Sequence, residues 1–263
     1  MKSDVDISTI KYRIADPNHN ITLLVETEVE VSRQKNIAIS LMEKEKDVEQ
    51  VGYIYRDGQG DIALRMAGGE FCGNATMSVA AYHLEKRKET TGIVKVHIMD
   101  DDTIIDVKAN LDDKGIWETE ETLYSNKIER KSFDTYNDLP IVFFDSISHI
   151  IIEEKALIKD LCESKKAEDL IKKWAREIDT RALGIMFYDR EDSKLTPLVY
   201  VKDIETLFWE RSCASGTVAT GLYIAYNIKD TIDETFVEPG GILRVKADPT
   251  GKAILYGKVK YIK

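Results

Sequence analysis

The sequence predicts an α+β protein of two pseudo-symmetric domains, each a curled or closed, mainly antiparallel β-barrel around a central helix. Three observations carry that expectation. Short runs rich in Val, Ile, Tyr and Phe recur along the 263 residues, bounded by Gly, Asp, Asn or Pro. Residues 75–84 and 217–226 carry almost no charge on any face, the pattern of a helix buried all round. Each of these stretches follows a polar turn holding one cysteine, so one pattern occurs twice in the chain.

In chain order, strands are expected at residues 12–15, 22–26, 50–55, 62–66, 94–98 and 103–109. They resume at 141–144, 147–152, 184–188, 198–201, 206–209, 242–247 and 253–261. Such short, closely spaced strands favour sheets that curl over a doubly wound parallel sheet. Outside the two apolar stretches, residues 32–45 form a helix with Ser32 as its N-cap. Residues 154–178 place Leu157, Leu161, Leu170, Ile171, Trp174 and Ile178 at helical intervals and read as one long helix. Cys162 lies on it as a core or groove thiol. The polar stretch 112–138 reads as a crossing between halves.

Composition narrows the partners. Lys and Arg number 37 against 47 Asp and Glu, a net charge of −10 that disfavours nucleic acid and anionic membranes. No run approaches a membrane span, and the N-terminus lacks a signal-peptide core. Three cysteines without regular spacing make no disulfide framework, so a cytoplasmic location is expected. A small molecule is the expected partner.

The repeated pattern carries the chemistry. One copy reads Gly68-Gly69-Glu70-Phe71-Cys72-Gly73-Asn74-Ala75-Thr76, and the other Phe208-Trp209-Glu210-Arg211-Ser212-Cys213-Ala214-Ser215-Gly216-Thr217. The small residues after each cysteine form helix N-termini, whose free N–H groups and dipole favour an anion such as an α-carboxylate. The same positive ends are expected to lower each cysteine's pKa. Inverting an α-carbon needs a base on one face and an acid on the other, and opposed cysteines supply both. Charge developing at Cα is held through the carboxylate. No metal or pyridoxal cofactor is then required, and a zinc site from Cys72, Cys213 and His149 has no supporting Cys-x-x-Cys or His pair. A disulfide between Cys72 and Cys213 reads as a by-product of proximity.

Both cysteine segments, in order and across the whole chain, resemble the two active-site signatures of the diaminopimelate epimerase superfamily. The resemblance implies two barrel domains with the site between them: residues 1–118 with a strand near 256–263 returning, and residues 119–255. It also implies a homodimer. It maps a carboxylate cradle onto the backbone of Gly73, Asn74, Gly216 and Thr217, beside Ser215. Further substrate contacts map onto Asn20, Gln50, Glu210 and Arg211. For Arg211, a buried salt bridge to Glu210 or Glu70 is the alternative. His149 stands where the family has Pro-His, with Ser148 replacing the proline, and is either a site residue or a structural one.

Departures shift the substrate. Where diaminopimelate epimerases have Gly-Asn-Gly-Ala-Arg, this chain has Gly73-Asn74-Ala75-Thr76-Met77. Gly-Asn-Asp-Phe becomes His19-Asn20-Ile21-Thr22, and Gly-Thr-Gly becomes Ser215-Gly216-Thr217 after Ala214. Residues 70–77, Pro197-Leu198-Val199-Tyr200, residues 208–217 and Pro239-Gly240-Gly241 resemble instead the histidine racemase branch, which supplies D-histidine for opine-type metallophores such as staphylopine. Interconversion of L- and D-histidine is therefore the expectation, with diaminopimelate or another amino acid as alternative substrate. Phenazine-type isomerases share the fold but lack the cysteine pair. An amino-acid-binding or thiol-redox protein is the reading outside amino-acid isomerisation. Glu49, Glu70 and Tyr53 are candidates for contact with the substrate side chain.

Overall fold

The computed structural model describes residues 7–262 apart from 57, 126, 135, 164 and 165. Its first run of elements is β1 (Tyr12–Pro17), β2 (Thr22–Val25), α1 (Val31–Lys44), β3 (Gln50–Tyr55) and β4 (Ile62–Met66). It continues with α2 (Gly73–Arg87), β5 (Thr91–Ile98), β6 (Thr103–Leu111) and β7 (Trp117–Tyr124). The second run begins with β8 (Lys127–Phe133), β9 (Tyr136–Phe143), β10 (Ile147–Ile152), α3 (Lys155–Glu163) and α4 (Lys166–Glu177). It ends with β11 (Ala182–Asp189), β12 (Lys194–Val201), β13 (Thr206–Trp209), α5 (Ala214–Ile228), β14 (Ile232–Glu238), β15 (Gly241–Ala247) and β16 (Lys252–Tyr261).

Strands β1 to β7 pair in sequence order, and β16 closes the ring by bonding β7 on one side and β1 on the other. The result is a closed eight-stranded barrel. Its parallel pairs, β2–β3 and β4–β5, fall where α1 and α2 make the crossovers that parallel strands need. From β16 the sheet continues through β15, β14, β12, β11, β10 and β9 to β8, with β13 alongside β12. Here too the parallel pairs span helices: β10–β11 crosses α3 and α4, and β12–β14 crosses α5. Among the described residues β8 pairs only with β9, so this second run is an arc without a closing pair.

The two apolar helices lie where their composition demands. α2 packs on β1, β2, β4, β5, β6, β7 and β16, inside the barrel, and α5 packs on β9, β10, β11, β14, β15 and β16. Residues Met77, Val79 and Ala80 of α2, and Val218, Ala219 and Ala225 of α5, are fully shut off from solvent. Burying a side chain the size of Met77 or Leu222 stabilises by about 1.5–3 kcal/mol. Both helices belong to one core. A second, smaller core lies under α3 and α4, where Trp174 stacks on Phe133 at 4.4 Å.

Four expectations change. The helix read over 32–45 with Ser32 as N-cap runs Val31–Lys44 from an N-cap at Glu30, with no side-chain cap hydrogen bond. The single helix over 154–178 is two, α3 and α4, with the residues between them outside the described set. At about 100° per residue, the stripe of Ile171, Trp174 and Ile178 lies roughly a quarter turn from that of Leu157 and Leu161. A break lets both stripes face the sheet. The stretch read as a crossing holds β7 and β8. β7 alternates perfectly in burial, but its inward residues are Trp117, Thr119, Glu121 and Leu123, so hydropathy hides the period. β14 went unseen for the same reason, since Glu238 ends its inward face.

Candidate active site

Each cysteine is the N-cap of a buried helix, in extended backbone: φ −139°, ψ 105° at Cys72 and φ −126°, ψ 101° at Cys213. The two helix starts touch. A Cβ on Gly73 would lie 2.9 Å from both the Ala214 Cβ and Glu121 Oε2, and one on Gly216 would lie 2.2 Å from Met186 Sδ. The absence of a Cβ at Gly73 thus lets the two starts meet, and at Gly216 it makes room for the Met186 side chain. Between them is a pocket lined by Gln50, Glu70, Cys72, Asn74, Glu210, Cys213 and Ser215, with Phe71, Ile147, Val199 and Val201 as apolar wall. Its free space is about 30 Å³, room for no more than a few waters, so an amino acid enters only when the walls part.

On the first side, Cys72 Sγ accepts from the Ala75 N–H at 3.4 Å and donates to Gln50 Oε1 at 2.9 Å. Gln50 Nε2 donates to Asn20 Oδ1 and, at 2.9 Å, to Thr22 Oγ1. Asn20 Nδ2 in turn donates to Ser212 O at 2.8 Å and Glu49 Oε2 at 3.2 Å, and Asn74 Nδ2 reaches the same Ser212 carbonyl at 3.1 Å. Amides therefore link the Cys72 thiol to the peptide just before Cys213. Phe71 gives its N–H to Ser146 Oγ at 2.7 Å, which ties the cysteine turn to the second run of elements.

The second side is built from a carboxylate. The Cys213 N–H donates to Glu238 Oε2 at 2.6 Å, and Thr217 Oγ1 donates to Glu238 Oε1. Cys213 Sγ lies 3.8 Å from Ser215 Oγ, which is 3.0 Å from His149 Nε2. The Thr217 N–H is already spent on Cys213 O at 2.9 Å, which closes the first helical turn. That amide therefore drops out of the expected anion cradle.

Electrostatics differ from expectation too. Burial pushes both thiols well above their ordinary pKa. At Cys72 the Ala75 N–H opposes this, while Glu210, Glu70 and Glu121 add to it. At Cys213 the charges of Glu210 and Glu238 add to burial. Positive helix ends were expected to do the reverse, but in a dry, acid-lined site desolvation outweighs them. Burial also raises Glu210 and Glu238 to about 8, and Glu49 and Glu70 to about 7. Buried His149 is lowered to about 3, so it is a neutral hydrogen-bonding group at neutral pH.

The sequence-predicted residues Asn20, Gln50, Cys72, Gly73, Asn74, Glu210, Cys213, Ser215 and Gly216 come together here, with His149 behind Ser215. Arg211, mapped to substrate contact with a buried salt bridge to Glu210 or Glu70 as the alternative, forms no such buried pair. Half exposed, it approaches Glu49 at 3.7 Å and Asp47 at 4.0 Å on the rim. Sequence reasoning missed Glu238 and Glu121. Glu121 is fully buried against Gly73, and neither of its oxygens has a hydrogen-bond partner among the described residues. Isolated glutamates on unrecognised strands give no signal that could have found them.

The family described as "Histidine racemase CntK N-terminal domain" matches residues 9–260. The chain belongs to the histidine racemase family. It is accordingly an isomerase, a racemase. A curated histidine racemase from Fusobacterium nucleatum subsp. nucleatum is 31% identical over 256 residues, covering 91% of this chain and 90% of that protein. Another, from Staphylococcus aureus, is 30% identical over 248 residues, covering 90% and 88%. Among solved structures, a predicted epimerase from Pseudomonas aeruginosa aligns at TM-score 0.72 with 9% identity, covering 97% of this chain and 98% of that one. A probable proline racemase from Agrobacterium radiobacter K84 aligns at TM-score 0.60 with 12% identity, covering 97% and 91%. At such identities these structures speak for the shared fold. Among the described residues no helix is long and apolar enough to cross a membrane.

Proposed function

We propose that this racemase interconverts L- and D-histidine by a two-base reaction between Cys72 and Cys213, without metal or pyridoxal cofactor. One observation carries the reading. The two cysteines cap two buried helices whose starts meet at one pocket, which both then line. The amides at those starts, in Gly73 and Asn74 on one side and Ser215 on the other, with the Gly216 N–H that Cys213 also takes, hold the substrate carboxylate. One sulfur removes the Cα proton and the other returns a proton to the opposite face. The reverse direction exchanges the roles.

The raised thiol pKa values fit a site that arms itself only with substrate present. Glu210 is hydrogen-bonded to Cys213 and, raised by burial to about 8, is mostly protonated near neutral pH, so it can donate to a Cys213 thiolate as that charge forms. The substrate's α-ammonium offsets the negative charge that forms. In this reading residues 1–118 with the returning strand and residues 119–255 are half-site domains that part and close around the amino acid. The protein works as a cytoplasmic homodimer supplying D-histidine to metallophore synthesis.

The test is a panel of free L- and D-amino acids in D₂O without added cofactor, followed by NMR at Cα and chiral chromatography. Histidine is expected to exchange Cα–H and racemise at the highest rate. Faster exchange of diaminopimelate, or no exchange of histidine, overturns the substrate. Unchanged exchange in both C72S and C213S overturns the mechanism.

A further inference from the structure

We propose that Glu70 is the residue that recognises the substrate's side chain, accepting a hydrogen bond from a ring N–H of the imidazole; this rests on the histidine reading above. Glu70 lines the pocket two residues before Cys72 and is 7% exposed. Its carboxyl is anchored by the backbone N–H groups of Gly68 and Glu70 itself, while Oε2 has no hydrogen-bond partner among the described residues. A buried acceptor left unpaired costs about 1–3 kcal/mol, so such an atom on a pocket wall is one a ligand can satisfy.

The surroundings suit a flat ring. Phe71, Ile147, Val199 and Val201 give the same pocket its apolar wall. Gly68 leaves room for the Glu70 carboxyl beside this wall, since a Cβ there would lie 2.4 Å from Val201 Cγ1 and 2.6 Å from Glu70 Oε2. The other two candidates are committed elsewhere. Tyr53 gives its hydroxyl to Gln34 O at 2.6 Å in the core, and Glu49 holds Asn20 and faces Arg211. Glu70 also selects against rivals. A side chain ending in a carboxylate, as in diaminopimelate or glutamate, would face it with like charge.

The test compares L-histidine with its two ring-N-methylated forms, in the wild-type enzyme and in E70Q and E70A, with kcat and KM for Cα exchange measured separately. The wild type is expected to use at least one methylated form about 10- to 100-fold less well than histidine, mostly through KM. E70A is expected to lose histidine activity by a similar factor while the poorly used methylated form loses little, and E70Q to fall between. A merely structural role would depress all substrates alike, and that result overturns the proposal. So does a wild type that uses both methylated forms as well as histidine, a result that needs no variant to fold. If the wild type exchanges histidine and E70A leaves its discrimination intact, only this assignment falls. If the wild type does not exchange histidine, the substrate reading falls first and the assignment with it.

Discussion

The two cysteine-capped helix starts look alike in sequence and are wired differently. At α2 the cap is the cysteine itself: Cys72 Sγ takes the Ala75 N–H and passes its proton toward the neutral amide of Gln50. At α5 Cys213 makes no side-chain cap, and Glu238 reaches in from β14 to hold the Cys213 N–H and the Thr217 hydroxyl. Buried glutamates surround both sulfurs, but Cys72 Sγ is hydrogen-bonded into an amide network and Cys213 Sγ to the Glu210 carboxyl. The difference teaches that a repeated motif fixes where the thiols sit, while unrepeated strands decide what surrounds each of them.

The largest effect tests whether the two sides are equal partners. C72S and C213S are each expected to lose racemisation by about 10³-fold, the scale of one acid–base group. Chiral chromatography of each variant checks this, and a tenfold-or-smaller loss at either position would break the symmetry of roles. Next in size is the cap. Glu238→Ala leaves the buried Cys213 N–H unpaired, while the Thr217 hydroxyl keeps Cys213 O at 2.8 Å, and is expected to cost about 1–3 kcal/mol in urea unfolding. Gln50→Ala on the α2 side removes an amide link and should cost about 1 kcal/mol. An equal or reversed order would show that the carboxylate is not the cap that matters.

A smaller, graded effect is pH dependence. Glu49, Glu70, Glu210 and Glu238 titrate above the ordinary 4.5 in the folded chain, at about 7 to 8, so folding favours their protonated forms. Their contribution to stability is whole below about pH 4.5 and is lost as pH rises through 7 to 8. His149, lowered to about 3, works the other way and costs stability as pH falls below 6.5. The melting temperature is therefore expected to decline from pH 6 to 8.5, and less steeply in Glu238→Gln. A flat or rising curve over that range counts against the buried carboxyl set. The smallest effect belongs to the rim: Arg211→Ala should change stability by under about 1 kcal/mol, because a half-exposed pair at such distances contributes little. Calorimetry of that variant provides the check.

Much of the fold and the centre of the site were legible in sequence for identifiable reasons. α2 and α5 stood out because a buried helix needs no polar face, and the strand candidates placed most of the sheet. β7 was hidden because Thr119 and Glu121 occupy its inward positions, and β8 because its exposed residues are Lys127, Glu129 and Arg130. The cysteines, Asn20, Gln50 and Asn74 could be named from the motif. Glu238 could not, since its role is set by β14 ending beside Cys213, a long-range event no local pattern encodes. The sign of the thiol pKa was misread for a related reason. Helix ends are visible in sequence, and the dryness around them is not.

Strand β16 bears on how the molecule is made. It supplies the closing pair of the first barrel, with β7 and β1, and also holds β15 of the arc. As the chain leaves the ribosome, the first barrel must wait, with its seam between β1 and β7 open, until the whole second run has been synthesised. Contacts between segments so far apart in sequence are slow to form. Cys72 thus acquires its final surroundings at about the same time as Cys213, and a polypeptide cut between β7 and β8 would leave an unfinished barrel and an unanchored arc.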